Sequence, residues 1–309
     1  MFQLAFLGTA AAVPSPDRGL SALMVAAGPR RFLVDCGEGT QRQLMRAGLG
    51  FRGLDYVLLT HAHLDHVLGL AGLISTLALF QTGIALDILG ATGTIAFVRR
   101  YLAAVVGPEG RAGYRLREIG PGQILDLPGM QVDAFRVIHR ETDSLGYVFE
   151  ESAHRPLDPQ RLAALGVPAG PERAALARGE AVVLADGRRI VPEMVASAVE
   201  RGTRLAVVGD TGETASLVAS VVEADTLVVE ATFLERDRPL ALARGHLTAA
   251  MAAGLARDAG VGALLLTHIS GRYQPAEILA EAAAIFPTAR LVADFDRAEV
   301  RRRVAAASV

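Results

Sequence analysis

The stretch LLTHAHLDHVLGL, residues 58–70, brings three histidines and one aspartate into six consecutive positions. The whole chain of 309 residues contains seven histidines, so this density is unusual. In an extended turn, His61 and His63 can direct two imidazoles at one metal ion, while Asp65 and His66 turn toward a second position. A polar surface turn is the alternative. We interpret the stretch as a metal site, because it joins an apolar strand to an apolar helix.

Other side chains of the same chemistry follow other apolar, β-rich runs. They are Asp35 after FLV, His139 after FRVI, Asp210 after LAVVG, Glu230 at the end of TLVVE and His268 after ALLLT. An imidazole or carboxylate is costly inside a sheet but is satisfied at its edge. If these strands are parallel, their carboxyl ends lie at one rim of the sheet. We therefore expect these side chains to meet the 61–66 cluster in a shared site.

The chemistry of these donors indicates the metal. Nitrogen and oxygen ligands suit zinc, with manganese also possible, and a chain with one cysteine cannot form a thiolate site. We predict two ions, one bound by His61, His63 and His139, the other by Asp65, His66 and His268, with Asp210 bridging them. Two ions about 3.5–4 Å apart that share a hydroxide stabilise both the attacking and the leaving oxygen of a phosphate. Such a site favours an anionic substrate.

Composition limits the class of protein. The net charge is −2 and all positive charge is arginine, which argues against a generally basic protein that coats nucleic acids. The single cysteine, Cys36, rules out an internal disulfide framework and indicates a reducing cytoplasm. No apolar run reaches the roughly 18 residues that a membrane span needs. The N-terminus lacks the basic start of a signal peptide, so FQLAFLG is predicted to be the first strand.

Hydrophobic periodicity indicates an α/β (α+β) fold. Strands are predicted at 2–8, 20–26, 30–37, 54–61, 86–91, 130–139, 145–151, 181–186, 204–210, 226–232 and 263–268. Helices are predicted at 66–80, 93–106, 213–223, 247–259 and 275–285. The first half is rich in consecutive strands and the second half alternates strand and helix. Two sheets covered by helices on their outer faces accommodate both patterns.

One segment, 152–180, does not match a compact core. It contains four prolines, no predicted strand and little apolar surface to bury. A disordered linker is one interpretation. The spacing of leucine and alanine predicts instead an arm of two short helices on either side of the bend GVPAGP.

The motifs resemble those of ribonuclease Z, the tRNA 3′-processing endonucleases of the metallo-β-lactamase superfamily. The matching motifs are FLGT, VDCGEGTQRQL at 34–44, LTHAHLDHVLGLAGL at 59–73, His139, VGDT at 208–211, EATF with GHLTA at 230–249, and LLLTHIS at 264–270. The resemblance implies a four-layer αβ/βα sandwich formed by residues 1–309 as a single domain. It also implies that the inserted arm, 152–180, binds tRNA and that the enzyme is a homodimer.

The resemblance also implies a role for each site residue. Metal ligands are expected at His61, His63, Asp65, His66, His139, Asp210 and His268. Asp65 is the expected general base, His246 assists the leaving group or binds a phosphate oxygen, and Glu230 orients His246. The alternatives are a solvent-facing loop histidine for His246 and an ordinary strand-end carboxylate for Glu230. Asp35 and Thr60 either orient ligating imidazoles or cap strand ends.

Two departures from the family pattern leave the substrate open. The arm segment 155–179 has four arginines against two carboxylates and lacks the lysines usual in this family. The loop VPSPDRGLS lacks the usual lysine and asparagine. Phosphate contacts dominate nucleic-acid affinity, so weak tRNA binding is an open alternative. The candidate functions are a zinc-dependent endoribonuclease that removes the 3′ trailer of precursor tRNA, a small-molecule phosphodiesterase or other hydrolase of the same fold with weak or no tRNA activity, and a non-enzymatic RNA-binding relative.

Overall fold

The structure, a computed structural model, describes residues 1–79, 86–110 and 113–303. It divides into two compact units, one formed by Met1–Glu150 with Thr203–Val309 and the other by Glu151–Gly202. The second unit contains the predicted arm and extends beyond it to Gly202.

The strands and helices of the described residues are as follows. The strands are β1 Phe2–Gly8, β2 Ala22–Ala27, β3 Arg30–Val34, β4 Leu54–Leu58, β5 Leu86–Gly90, β6 Tyr114–Glu118, β7 Gly122–Leu127, β8 Met130–Arg136, β9 Leu145–Glu151, β10 Val182–Val183, β11 Arg189–Ile190, β12 Arg204–Val207, β13 Thr226–Glu230, β14 Leu264–Thr267, β15 Arg290–Leu291 and β16 Arg297–Glu299. The α-helices are α1 Thr40–Arg46, α2 Leu64–Val67, α3 Leu70–Leu79, α4 Thr92–Val105, α5 Pro159–Ala164, α6 Pro171–Ala177, α7 Pro192–Val195, α8 Val218–Val221, α9 Arg238–Arg244, α10 Ala249–Asp258 and α11 Pro275–Ala283.

Within the described ranges, the first unit is built on two seven-stranded sheets. The first sheet has the order β16-β1-β2-β3-β4-β5-β6 and is parallel from β3 to β6. The second has the order β15-β14-β13-β12-β9-β8-β7 and is parallel from β12 to β15. Parallel strands place their carboxyl ends at one edge, so the residues that follow them can share a site.

Three hydrophobic clusters define the layers of this unit. Phe6 and Phe32 of the first sheet pack with Phe149 and Leu205 of the second, so the two sheets lie face to face. The other face of the first sheet packs on α1, α3 and α4. The other face of the second sheet packs on α10 and α11. The predicted four-layer αβ/βα sandwich is therefore confirmed.

Two hydrogen bonds join the sheets beside the histidine cluster. The hydroxyl of the fully buried Tyr147, in β9, donates to the carbonyl of Leu59 at 2.5 Å. The amide of Leu145 donates to the carbonyl of Thr60 at 2.9 Å. These bonds attach the segment that follows β4 to the second sheet, and that segment leads directly into His61.

Several predicted elements differ from those of the structure. The predicted strand 181–186 is wrong as part of the core, because only Val182–Val183 is a strand and it pairs with Arg189–Ile190 inside the second unit. The predicted helix 213–223 is helical only at Val218–Val221. The predicted helix 66–80 is two helices, with its last residue outside the described ranges. Its break lies at Gly69, where an added Cβ would lie 2.1 Å from the carbonyl oxygen of Gly37.

The second unit has a small hydrophobic core of its own. Its buried residues are Leu162, Val167, Leu176, Leu184, Ile190 and Val195. The two predicted short helices correspond to α5 and α6. The expectation that this segment has little to bury is wrong, because the hairpin and α7, beyond residue 180, supply half of the cluster. Its ends are adjacent, since a Cβ on Gly202 would lie 2.0 Å from the carbonyl oxygen of Glu151.

No helix in the part of the chain that the structure describes combines the length and the apolar character needed to cross a bilayer.

Candidate metal centre

The predicted ligands lie within a few residues of the ends of strands, and two of them, Asp65 and His66, lie in the short helix α2. Asp210 follows β12 and His268 follows β14, and these two strands flank β13 in the parallel part of the second sheet. The 61–66 cluster follows β4 of the first sheet. His139 follows β8. The structure brings all seven predicted ligands together.

One group of donor atoms consists of His61, His63, His139 and Asp210, all within 4.8 Å of one another. Nε2 of His61 lies 3.6 Å from Oδ2 of Asp210, and Nε2 of His139 lies 3.8 Å from the same oxygen. His63 Nδ1 lies 3.2 Å from Nε2 of His139. Three imidazoles and one carboxylate oxygen therefore face a common point.

A second group consists of Asp65, His66 and His268, also within 4.8 Å of one another. Oδ2 of Asp65 lies 3.6 Å from Nε2 of His66 and 3.3 Å from Nε2 of His268. Asp210 contacts this group as well, with Oδ2 3.4 Å from His66 Nε2 and Oδ1 3.3 Å from His268 Nε2. One carboxylate is thus placed between the two groups.

Buried atoms without hydrogen bonds test whether a cation suits this arrangement. Among the described residues, Nε2 of His61, Nε2 of His66 and Oδ1 of Asp210 are buried and form no hydrogen bond. Such a polar atom costs about 1–3 kcal/mol when nothing satisfies it. Burial and the neighbouring His66 hold the pKa of His61 well below its usual value, which favours the neutral, metal-binding form. The donor set suits zinc or manganese.

The pKa of Asp210 also reflects its surroundings. Burial alone would raise it, but the nearby imidazoles of His268 and His66 outweigh burial and hold the pKa well below its ordinary value. The carboxylate is therefore charged and available to bridge two cations.

Asp35 and Thr60 set the orientation of two of the imidazoles. Asp35 Oδ2 lies 2.7 Å from Nδ1 of His66, and the amide of Thr60 donates to Asp35 Oδ1 at 2.8 Å. The Thr60 hydroxyl donates to Asp35 Oδ2 at 2.8 Å and lies 3.0 Å from Nδ1 of His61. With Nδ1 engaged, each ring presents Nε2 to the centre. This geometry supports the interpretation that Asp35 and Thr60 orient ligating imidazoles, rather than the interpretation that they only cap strand ends.

The third orienting partner, Gly245, was not predicted. Its carbonyl lies 2.7 Å from Nδ1 of His139, so that Nε2 of the ring faces the centre. Gly245 has φ of 72°, and an added Cβ would lie 2.7 Å from Cγ of Arg140. Glycine is therefore required here by both the backbone and the space. In the sequence, Gly245 stands directly before His246 in the motif GHLTA.

Glu230 and His246 form a pair beside the two groups. The fully buried Glu230 accepts hydrogen bonds at Oε1 from the amide of Thr211, at 2.8 Å, and from His246 Nδ1, at 3.0 Å. Burial opposes a charged ring, but the Glu230 carboxylate outweighs it and raises the pKa of His246 to about 9. The geometry disfavours the interpretations of His246 as a solvent-facing loop residue and of Glu230 as an ordinary strand-end carboxylate.

Thr232 connects this pair to a predicted ligand and was also not predicted. Its hydroxyl donates to Oε2 of Glu230 and lies 3.1 Å from Nδ1 of His268. An oxygen that donates its hydrogen to the carboxylate can accept one from the imidazole. Glu230 therefore influences the orientation of both His246 and His268.

Comparison with known proteins gives the family. Residues 2–156 match the family model described as Anti-Pycsar protein Apyc1, and residues 168–269 match the Beta-lactamase superfamily domain. The two models cover different parts of the chain, whereas curated relatives match almost all of it. A ribonuclease Z of Bradyrhizobium diazoefficiens is 54% identical over 96% of this chain and 99% of its own length. The chain belongs to the ribonuclease Z family.

More distant members of the ribonuclease Z family match over a similar length. A ribonuclease Z of Archaeoglobus fulgidus is 38% identical over 97% of this chain and 98% of its own. Among solved structures, the short form of human tRNase Z has a TM-score of 0.67 at 26% identity, covering 97% of this chain and 99% of that one. The metallo-β-lactamase fold protein YhfI of Bacillus subtilis has a TM-score of 0.69 at 18% identity, covering 96% and 98%, which shows the fold alone. The family resemblance seen in the sequence, a ribonuclease Z-type hydrolase, is confirmed.

Asp35 accepts a hydrogen bond from Nδ1 of His66 and so orients that imidazole. Asp35→Asn removes the charge that orients His66, so we expect zinc affinity to fall about 10- to 100-fold. Competition with a chromogenic chelator measures the affinity. The matched control is Asp87→Asn, because Asp87 is also a buried carboxylate of the first sheet but is paired with Arg115. Equal zinc affinities of the two variants would show that Asp35 only caps its strand.

Proposed function

We propose that this chain is a zinc-dependent endoribonuclease that removes the 3′ trailer from precursor tRNA. The observation that carries the proposal is the convergence of seven N and O ligands beside the Glu230–His246 pair. That the named relatives are ribonucleases Z supports RNA as the substrate. The expected metal content is two zinc ions per chain, with manganese as a substitute.

The proposed chemistry divides between the metal ligands and the chain's other groups. Zinc ions bound by the seven ligands would supply Lewis acidity and lower the pKa of a bound water from 15.7 to about 7. Asp65 is the proposed general base. Its Oδ2 accepts the amide of Ala12 at 2.9 Å, which fixes the carboxylate beside His66 and His268 while it receives the water proton.

His246 is the proposed partner of the leaving oxygen or of a phosphate oxygen. Glu230 engages Nδ1, so Nε2 at the other end of the ring is directed away from the carboxylate and toward substrate. His246 also lies close to Asp210 and His268, where the three could form a further group of donors. A substrate-facing role and a metal-ligand role for His246 therefore predict different zinc contents when this residue is replaced.

We propose that the second unit, Glu151–Gly202, binds tRNA. Over this unit seven arginines face seven carboxylates, so the positive excess counted over 155–179 disappears. Arg161 pairs with Asp158, Arg178 with Glu180 and Arg188 with Asp186. The contribution of charge to tRNA affinity should therefore be small, and the salt dependence of binding shallow.

The same balance of charge supports the second candidate, a small-molecule phosphodiesterase. A unit with no net charge attracts polyanions weakly. The metal centre that the seven ligands would form does not depend on this unit and would suit a small diester as well as RNA. The presence of the second unit, which has its own hydrophobic core, supports tRNA as the substrate. We also propose a cytoplasmic location and a homodimer. Cys36 supports the first, because it is fully buried and burial raises the pKa of its thiol to about 12, as expected for a structural, reduced cysteine.

The function is tested with precursor tRNA that carries a 3′ trailer. We expect the wild-type chain to release the trailer in the presence of zinc or manganese and to stop when a chelator is added. Full turnover of bis-p-nitrophenyl phosphate with no tRNA cleavage would contradict the proposed tRNA function and favour the small-molecule phosphodiesterase.

Excision of the second unit separates the two substrates. Glu151 and Gly202 are adjacent, so a flexible linker of about four residues can replace the residues between them. We expect the variant to retain hydrolysis of the small diester and to lose most cleavage of precursor tRNA. Circular dichroism and thermal unfolding establish that the first unit remains folded. Equal losses on both substrates would reject the proposed tRNA role of this unit.

His246→Asn tests the role of the imidazole. If His246 assists the leaving oxygen, kcat for RNA should fall about 10²–10⁴-fold, while bis-p-nitrophenyl phosphate, whose phenolate leaves without a proton, should be affected far less. Zinc content by elemental analysis should stay at the wild-type value, in contrast to the control Asp65→Ala, which removes a ligand. Loss of zinc from His246→Asn would identify His246 as a ligand instead, and equal losses on both substrates would identify a phosphate contact.

A further inference from the structure

The loop formed by residues 9–19, here the 9–19 loop, contacts the predicted general base. The amide of Ala12 donates to Oδ2 of Asp65 at 2.9 Å. Oδ2 is the same oxygen that lies 3.3 Å from Nε2 of His268. The position of this loop therefore determines where one oxygen of Asp65 lies.

The same loop also pairs with the residue that follows His268. The amide of Ile269 donates to the carbonyl of Thr9, and the amide of Ala11 donates to the carbonyl of Ile269, both at 3.0 Å. The loop therefore contacts one predicted ligand, Asp65, and also contacts the residue next to a second one, His268.

Two residues beside these contacts, Ala12 and His268, have backbone conformations that need support from their surroundings. Ala12 has φ of 56° and His268 has φ of 53°, both in the left-handed region that residues other than glycine avoid. Residues in this region persist where surrounding contacts impose the conformation, and they concentrate at functional sites. Residues 12–17 are exposed, so the buried contacts that hold this loop lie at its ends.

One carboxylate, Asp294, ties both ends of the loop. The Thr9 hydroxyl donates to Oδ1 at 2.7 Å and the Gly19 amide donates to Oδ2 at 2.6 Å. Gln43 Nε2 donates to Oδ2 at 2.7 Å and joins α1 to the same point. Asp294 lies far from Asp65 in sequence and is not among the predicted metal ligands.

Arg18 completes the attachment from within the loop. Its guanidinium donates to the Thr9 hydroxyl at 2.6 Å and to the carbonyl of Val292 at 2.8 Å. The Thr9 hydroxyl therefore accepts one hydrogen bond and donates another, which satisfies a side chain that is fully buried.

We propose that Asp294 is a positioning residue of the metal centre: by fixing both ends of the 9–19 loop, it holds the Ala12 amide on Asp65 and the backbone beside His268. Asp294 touches no predicted ligand and acts only through the loop. The inference rests on the proposed function, since it concerns the placement of two predicted zinc ligands. It assigns to the segment after β15 a role that the resemblance did not include.

The test compares Asp294→Asn with Asp225→Asn in the full-length chain. Asp225 is the control, because its carboxylate also ties distant segments together through both oxygens, accepting the amides of Arg204 and Arg303 at 2.7 and 2.6 Å. It precedes β13, at the opposite end of that strand from Glu230. Each variant loses one carboxylate charge, but only Asp294 holds the 9–19 loop.

We expect Asp294→Asn to weaken zinc binding about tenfold, measured by chelator competition without substrate, and to change the visible spectrum of the cobalt-substituted protein. We expect Asp225→Asn to lower the thermal unfolding temperature without either effect. Because Asp294→Asn could prevent folding, Thr9→Val provides a second variant that keeps the side-chain shape and removes the hydroxyl. It should weaken zinc binding in the same direction by a smaller factor.

The outcomes separate this inference from the proposed function. If wild-type protein binds zinc and both Asp294→Asn and Thr9→Val bind it as tightly, the positioning role is overturned and the proposed function stands. If Asp294→Asn and Asp225→Asn weaken zinc binding equally, Asp294 is only structural and the inference is again overturned. Failure of the wild-type protein to bind zinc would overturn both.

Discussion

The structure depends on one buried carboxylate surrounded by imidazoles. In the described part of the chain, Asp210 lies within 4 Å of nitrogens from His61, His66, His139, His246 and His268. Bringing so many ring nitrogens into a dry space around two oxygens is unfavourable unless cations satisfy them. The fold must supply the free energy that keeps these groups together, and it does so with two packed sheets and hydrogen bonds at their junction.

The junction explains how distant segments meet. Parallel strands deliver Asp210, Glu230 and His268 to one edge of the second sheet, and Tyr147 ties the segment before His61 to that sheet. Around this edge, partners such as Asp35 hold Nδ1 of an imidazole so that Nε2 faces inward. The result is a centre in which hydrogen bonds from the protein's own groups fix the orientation of the donor atoms.

Much of this arrangement could be predicted, because it leaves local signals. A polar residue directly after a Val- and Leu-rich strand marks a strand end, and His61–His66 has the spacing of metal ligands. Gly245, Thr232 and Asp294 were not predicted, because each acts through hydrogen bonds to residues distant in sequence, such as His139, His268 and Thr9. The run 181–186 was predicted as a full strand because its apolar sequence does not distinguish a strand of a central sheet from one strand of a short hairpin. The extent of the second unit depends on that hairpin, and so was also missed.

The central claim is that these side chains bind a pair of metal ions. Crystals grown with zinc, with diffraction data collected at the zinc absorption edge, test it most directly. We predict two anomalous peaks about 3.5–4 Å apart, one beside His61, His63 and His139 and the other beside Asp65, His66 and His268, with Asp210 between them. A map with no peak near Asp210, or with a single ion bound by one group alone, would contradict it.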